Sequence, residues 1–148
     1  MFLSDLRKLA RFRATLRKLV RASELAARSE GLTPQQHQLL VCIAGLDTGA
    51  GVPIRQIADA LQLRHHSTVE LIDRAEQEGY VARHNQPEDA RTVLIQVTPA
   101  GMRKLRRLAA HHRRELNFLR AHVTLAPGQD PYGRTLRSRS APASDDEE

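Results

Sequence analysis

The sequence predicts a mostly α-helical domain that carries one small β-hairpin, and three observations lead there. Residues 2–29 contain neither proline nor glycine and repeat apolar side chains at three- and four-residue steps. Between Leu61 and Gly79, residues Thr68, Leu71, Ile72 and Ala75 fall at i, i+3, i+4 and i+7, the buried stripe of an amphipathic helix. After Gly79 the period drops to two, the repeat of a strand.

Composition narrows the class. A chain of 148 residues favours one domain. Its hydrophobic fraction of 41% suffices for a core, and with 3% aromatics and no Trp that core must be aliphatic. The net charge of +6 implies an anionic partner, nucleic acid ahead of a membrane. A single cysteine excludes an intramolecular disulfide and fits a reducing cytoplasm. No run approaches the roughly 20 apolar residues of a membrane span. Met1-Phe2-Leu3-Ser4-Asp5 lacks the basic-then-apolar pattern of a signal peptide. The expectation is a cytoplasmic protein without a membrane partner.

Each element follows from local chemistry. The first helix runs from Phe2 to about Ser29, with Phe2, Leu9, Phe12, Leu16 and Leu19 along its seam and Arg7, Lys8, Arg11, Arg13, Arg17, Lys18 and Arg21 on its other faces. Such a seam exceeds what one small domain needs to cover itself, so its early turns are expected in a dimer interface. Gly31 stops it. Thr33 then caps the second helix, Pro34 suits its first position, and Gln36 completes a capping box. Leu39, Leu40, Ile43 and Ala44 form its buried side, and Gly45 with residues 47–51 marks a loop. Val52-Pro53-Ile54 reads as a short edge strand that tolerates proline. Residues 55–61 form the next helix, with Ile54, Ile57, Ala58 and Leu61 on one face and Leu63 plugging the following turn.

That helix and the one after it form a helix-turn-helix, and the small Ala58 allows close approach. Opposite its buried stripe the second of the pair carries His65, His66, Ser67, Glu70, Arg74 and Gln77. Short donors and acceptors in a first turn suit the reading of base edges, and Val69 suits a thymine methyl. Residues 80–84 and 92–97 are the two strands, with residues 85–91 as a polar hairpin loop. A helix-turn-helix followed directly by a hairpin is a winged helix. Thr98-Pro99 starts a last helix to about His122, with Leu105, Leu108, Ala109, His112, Leu116 and Leu119 on one side. Residues 127–148 are rich in Pro, Gly, Ser and Arg and end in Asp145-Asp146-Glu147-Glu148, a composition expected to stay disordered.

The order of these elements resembles the MarR family of bacterial regulators. The resemblance spans about Phe12 to Leu119 and is carried by Gly31-Leu32-Thr33-Pro34-Gln35-Gln36, Ile57-Ala58-Asp59-Ala60-Leu61, residues 71–81, Pro87-Glu88-Asp89-Ala90-Arg91 and Val97-Thr98-Pro99-Ala100-Gly101. It implies a winged helix-turn-helix domain over residues 1–126, with a DNA-binding lobe at about 33–98 and dimerisation helices at about 2–30 and 99–122. It further implies a homodimer on double-stranded DNA that acts on a pseudo-palindromic operator, usually as a repressor. A small-molecule effector would sit between the dimer helices and the DNA-binding lobe. His65, His66, Ser67, Val69, Glu70 and Arg74 then read the major groove, and the wing pair Asp89 and Arg91 serves the minor groove, where a planar cation suits a narrow, negative channel. Arg55 and Arg64 reach phosphates. Ala90 stands where the family often has another basic residue, which implies a weaker grip by the wing. Arg64 replaces a capping Ser or Asp. No closing helix is read after the last one, and the long first helix is expected to compensate at the dimer interface.

Other residues weigh less. The adjacent pairs His65-His66 and His111-His112 point about 100° apart on a helix and do not converge on one ion, so no metal site is expected. Cys42, in an apolar run, reads as a packed core thiol. No phosphate loop or acyl-transfer motif is present, so neither enzyme activity nor a cofactor is expected. The competing reading is a winged-helix module that holds a protein partner or coats DNA without sequence preference.

Overall fold

The computed structural model describes residues 1–122, and the tail expected at 127–148 lies outside the described residues. Nine elements follow in order: α1 (Phe2–Ser29), α2 (Pro34–Leu46), β1 (Val52–Pro53), α3 (Ile54–Leu61), α4 (His65–Gln77), β2 (Val81–Gln86), β3 (Asp89–Val97), α5 (Pro99–Arg107) and α6 (Ala109–His122). The protein is mostly helical with a small antiparallel sheet, as the sequence predicts. The sheet order is β1-β3-β2, so β1 is an edge strand and Pro53 costs no central ladder bond. Met1–Arg114 forms one compact unit. Residues from Glu115 belong to a second, within which His122 Nδ1 lies 2.9 Å from the Phe118 carbonyl oxygen.

Helix boundaries obey the expected chemistry. Thr33 Oγ1 accepts from the Gln36 amide at 3.1 Å, and Gln36 Oε1 accepts from the Thr33 amide at 3.0 Å. Gly31 at φ +74° and Gly79 at φ +79° take the left-handed turns that follow α1 and α4. Leu39, Leu40, Ile43, Val52, Ile57, Ile72, Ala75, Val81 and Ile95 form an aliphatic core, so the three helices of the lobe and the sheet share one interior. Gln36 is buried beside this core, and its Nε2 donates to Glu78 at 3.0 Å, tying the start of α2 to the end of α4.

Several expectations need correction. Gly45 belongs to α2, which continues to Leu46, because a lone glycine near a helix end costs too little to stop it. Ile54 opens α3 and is not part of the strand. Leu63 does not plug the turn but is 41% exposed. The hairpin loop is shorter than residues 85–91. Strand pairing reaches Gln86↔Asp89 through a register shift at Asn85/Gln86, leaving Pro87 and Glu88 as the turn. Polar side chains suggested a loop there, but ladder hydrogen bonds use the backbone and ignore side-chain polarity.

The last helix is two helices. At Leu108 the backbone tightens, its N–H taking the Leu105 carbonyl at 3.1 Å, and helical bonding resumes with His112 N–H to the Leu108 carbonyl at 2.9 Å. This break rotates the stripe. Leu105, Leu108 and His111 are buried, whereas Ala109 and Leu116 are exposed. Along α1 only Ala27 is buried. Phe2, Leu3, Leu6, Leu9 and Phe12 are 43–73% exposed, an apolar face without a cover among the described residues. Among the described residues no helix is long and apolar enough to cross a membrane.

Candidate nucleic-acid interface

Helix α4 is set by what it buries. Thr68, Leu71, Ile72 and Ala75 face the core, and Thr68 Oγ1 donates to the Arg64 carbonyl at 2.9 Å, satisfying a hydroxyl that is fully buried. The preceding turn pivots on Gln62, whose φ of +54° is left-handed, and whose side-chain amide donates to the Asp59 carbonyl at 2.6 Å. Arg64 occupies the N-cap without a side-chain cap bond. The first-turn N–H groups of α4 therefore receive no side-chain acceptor from Arg64, the arrangement that favours a phosphate oxygen.

The expected readers divide by flank. His65, His66, Glu70 and Arg74 are exposed, while Ser67 and Val69 are half-buried. Ser67, Glu70 and Arg74 line a cleft of about 760 Å³ whose other walls include Glu24 and Arg28 of α1, Gln35 and Gln38 of α2, and Leu63. His65 and His66 are not in that lining, so the flank with Ser67, Glu70 and Arg74 borders the cleft and the two histidines lie outside it. Arg55 on α3 and Arg64 before α4 are both exposed on the helix-turn-helix.

The wing departs from a simple ion pair. Asp89 Oδ1 accepts from the Arg91 backbone N–H at 3.0 Å, and Oδ2 accepts from Thr92 Oγ1 at 3.1 Å. Asp89 thus fixes the strand entry, and no ion pair among the described residues includes the Arg91 guanidinium. Behind it stands an ion-pair triad that the sequence reading missed. Arg83 of β2 donates from Nη1 to Glu76 Oε1 at 2.8 Å and from Nη2 to Asp73 Oδ1, and its backbone N–H donates to Glu76 Oε2 at 3.1 Å. Burial of Arg83 opposes its charge, but the bonds to Asp73 and Glu76 hold its guanidinium above its ordinary pKa. The available signal was the i, i+3 carboxylate pair on α4 with an arginine in the strand that starts just after it.

A second cluster was also invisible to spacing. His37 of α2 meets His111 and His112 of α6, with ring centroids 6.2 and 5.1 Å away. His37 Nε2 and His112 Nε2 are 2.8 Å apart, and the rings lie within 16° of parallel. That centroid distance is the one two imidazoles have when their Nε2 atoms meet head-on, the geometry of a shared N–H···N hydrogen. Two lone pairs aimed at a common metal would instead meet at an angle. Among the described residues no group of three or more His, Cys, Asp or Glu is arranged to hold a metal ion. Burial first, then His112 and His111, pushes the His37 pKa down to about 4. Cys42 is half-buried against the core, and burial raises its thiol pKa.

Comparison with known proteins agrees with this architecture. Residues 30–92 match the model of the MarR family. Over 80 residues the chain is 29% identical to a putative transcriptional regulatory protein for the hcr operon of Thauera aromatica, covering 54% of this chain and 46% of that protein. The match therefore spans less than half of that relative's length. Among solved structures, the chain is similar to a MarR family transcriptional regulator from Rhodococcus sp. RHA1, at 26% identity over 84% of each chain with a TM-score of 0.60. It also shares its fold with S. aureus MepR in a DNA complex, at 19% identity over 76% of this chain and 82% of that one, with a TM-score of 0.61.

Proposed function

We propose that the chain is a MarR-family protein, a reading supported by the family model matched at residues 30–92, and that it is a cytoplasmic DNA-binding transcriptional regulator, working as a homodimeric repressor on a pseudo-palindromic operator. The observation that carries the proposal is the pairing of two exposed features. Helix α4 buries four residues and leaves His65, His66, Glu70 and Arg74 outward, and the hairpin after it carries Arg91 with its guanidinium in no ion pair among the described residues. In this reading α4 enters the major groove, where His65 and His66 meet base edges with Ser67, Val69, Glu70 and Arg74 as supporting contacts. Arg91 enters the flanking minor groove with Asp89 holding its strand, and Arg55 and Arg64 hold phosphates.

In this reading the DNA-binding lobe lies at about 33–98 and the dimer helices at about 2–30 and 99–122. The uncovered apolar turns of α1 supply the reason for a second copy. An effector in the cleft beside Ser67, Glu70 and Arg74 would touch α4 itself and so relieve repression.

Selection of duplexes from a random pool, followed by a salt series, tests the reading. His66→Ala and Arg91→Ala are each expected to weaken the selected palindrome by about 1–3 kcal/mol and random DNA by less. Equal losses on both would favour a module that coats DNA without preference. Absence of duplex binding at low salt would leave a protein-interaction module. Light scattering at micromolar concentration should give twice the chain mass, and charged substitutions at Leu6 and Leu9 should return it to a single chain.

A further inference from the structure

We propose that Arg83 is a positioning and specificity-determining residue that keeps the Asp73 and Glu76 carboxylates out of the DNA-reading surface. The inference rests on the reading of α4 as the recognition helix. Asp73 lies seven residues after His66 and four after Val69, so it shares their face of the helix, and Glu76 lies three residues further on. Both side chains remain substantially exposed, at 49% for Asp73 and 40% for Glu76, so each is accessible from the groove side.

An unheld carboxylate at such a position has two effects. It repels phosphates, and it offers an acceptor to the N4 amino group of cytosine. Arg83 removes both. Its guanidinium forks across the two acids, and its own backbone N–H takes the second oxygen of Glu76. Three of the four Asp73 and Glu76 carboxylate oxygens are thereby held by Arg83 of β2, the first strand of the wing. With its charge matched by two carboxylates, Arg83 itself has little left for a phosphate.

The test compares the full-length wild type, Arg83→Ala, Arg83→Lys, and Arg83→Ala combined with Asp73→Asn and Glu76→Gln. Each is measured on the wild-type selected duplex and in a fresh selection from random sequence. Arg83→Ala is expected to lose about tenfold or more in operator affinity and to select cytosine at positions the wild type does not. Arg83→Lys, a point charge without a fork, should recover only part of the loss. The triple variant has no carboxylates left to hold and should return to within about threefold of wild type. A direct phosphate contact by Arg83, or a purely structural brace, would leave the triple variant as weak as Arg83→Ala. That result, or an unchanged selected sequence in Arg83→Ala, overturns the inference while the DNA reading stands. A wild type that selects no duplex overturns the DNA reading itself.

Discussion

Replacing Gly101 with alanine is expected to destabilise the domain by about 3 kcal/mol or more, enough to leave much of it unfolded. Gly101 is the third residue of α5 and is buried. Its amide donates to Thr98 Oγ1 at 3.2 Å, and Thr98 in turn takes the Tyr80 carbonyl through its backbone N–H at 2.9 Å. A Cβ at position 101 would stand within 2.4 Å of the Tyr80 carbonyl oxygen and 2.6 Å of Val97 Cγ1. The first of these is backbone, held by the turn between α4 and β2, so it cannot swing away as a side-chain tip would. The helix must move off the sheet or the turn must open. Helix propensity alone would favour the alanine by about 1 kcal/mol, so the sign of the measured change tests the contact. Gly45 supplies the control. It too is helical, but a Cβ there meets nothing within 4 Å, and Gly45→Ala is expected to stabilise by about 0.5 kcal/mol. Urea unfolding of both variants settles the matter. Similar effects in the same direction would show that the backbone at Tyr80 yields.

Acidification is expected to cost the fold about 3 kcal/mol through His37 alone. The residue is 4% exposed, and its pKa falls from 6.5 to about 4 through burial and the neighbouring His112 and His111. The folded protein therefore resists a proton that the unfolded chain accepts. Stability from this group is complete above pH 6.5 and is lost as pH falls from 6.5 to about 4. The head-on contact with His112 gives the steric side of the same argument. One shared hydrogen fits between nitrogens 2.8 Å apart, and two do not. Urea midpoints at pH 7 and pH 4.5 should differ strongly in the wild type and much less in His37→Gln, which keeps a polar side chain but does not titrate. Equal pH slopes in the two proteins would remove His37 as the cause.

The contrast between these two sites shows how far the sequence could be read. Gly101 belongs to a recognisable Thr-Pro-x-Gly start, but nothing in the string says that the glycine faces a carbonyl twenty-one residues back. His37 stands seventy-five residues from His112, and adjacency of His111 and His112 argued against any convergence. Both rings nevertheless lie beside His37, a third ring from another helix that adjacency could not foresee. Arg83 meets Asp73 and Glu76 only because the hairpin folds back on α4.

Much of the local chemistry, by contrast, was legible. Thr33-Pro34-Gln35-Gln36 forms its capping box, Gly31 and Gly79 take the left-handed turns, and the stripe Thr68, Leu71, Ile72 and Ala75 is buried. Each depends on residues within one or two turns of one another, so the string alone determined the order of elements, the winged helix and which face of α4 looks outward. The tertiary structure decided the rest. It placed the break at Leu108, the two-residue wing turn, the partner of Asp89, the triad around Arg83 and the histidine contact. All of these are settled by which distant backbone or side chain lies nearest in space, and a linear period carries no record of that distance.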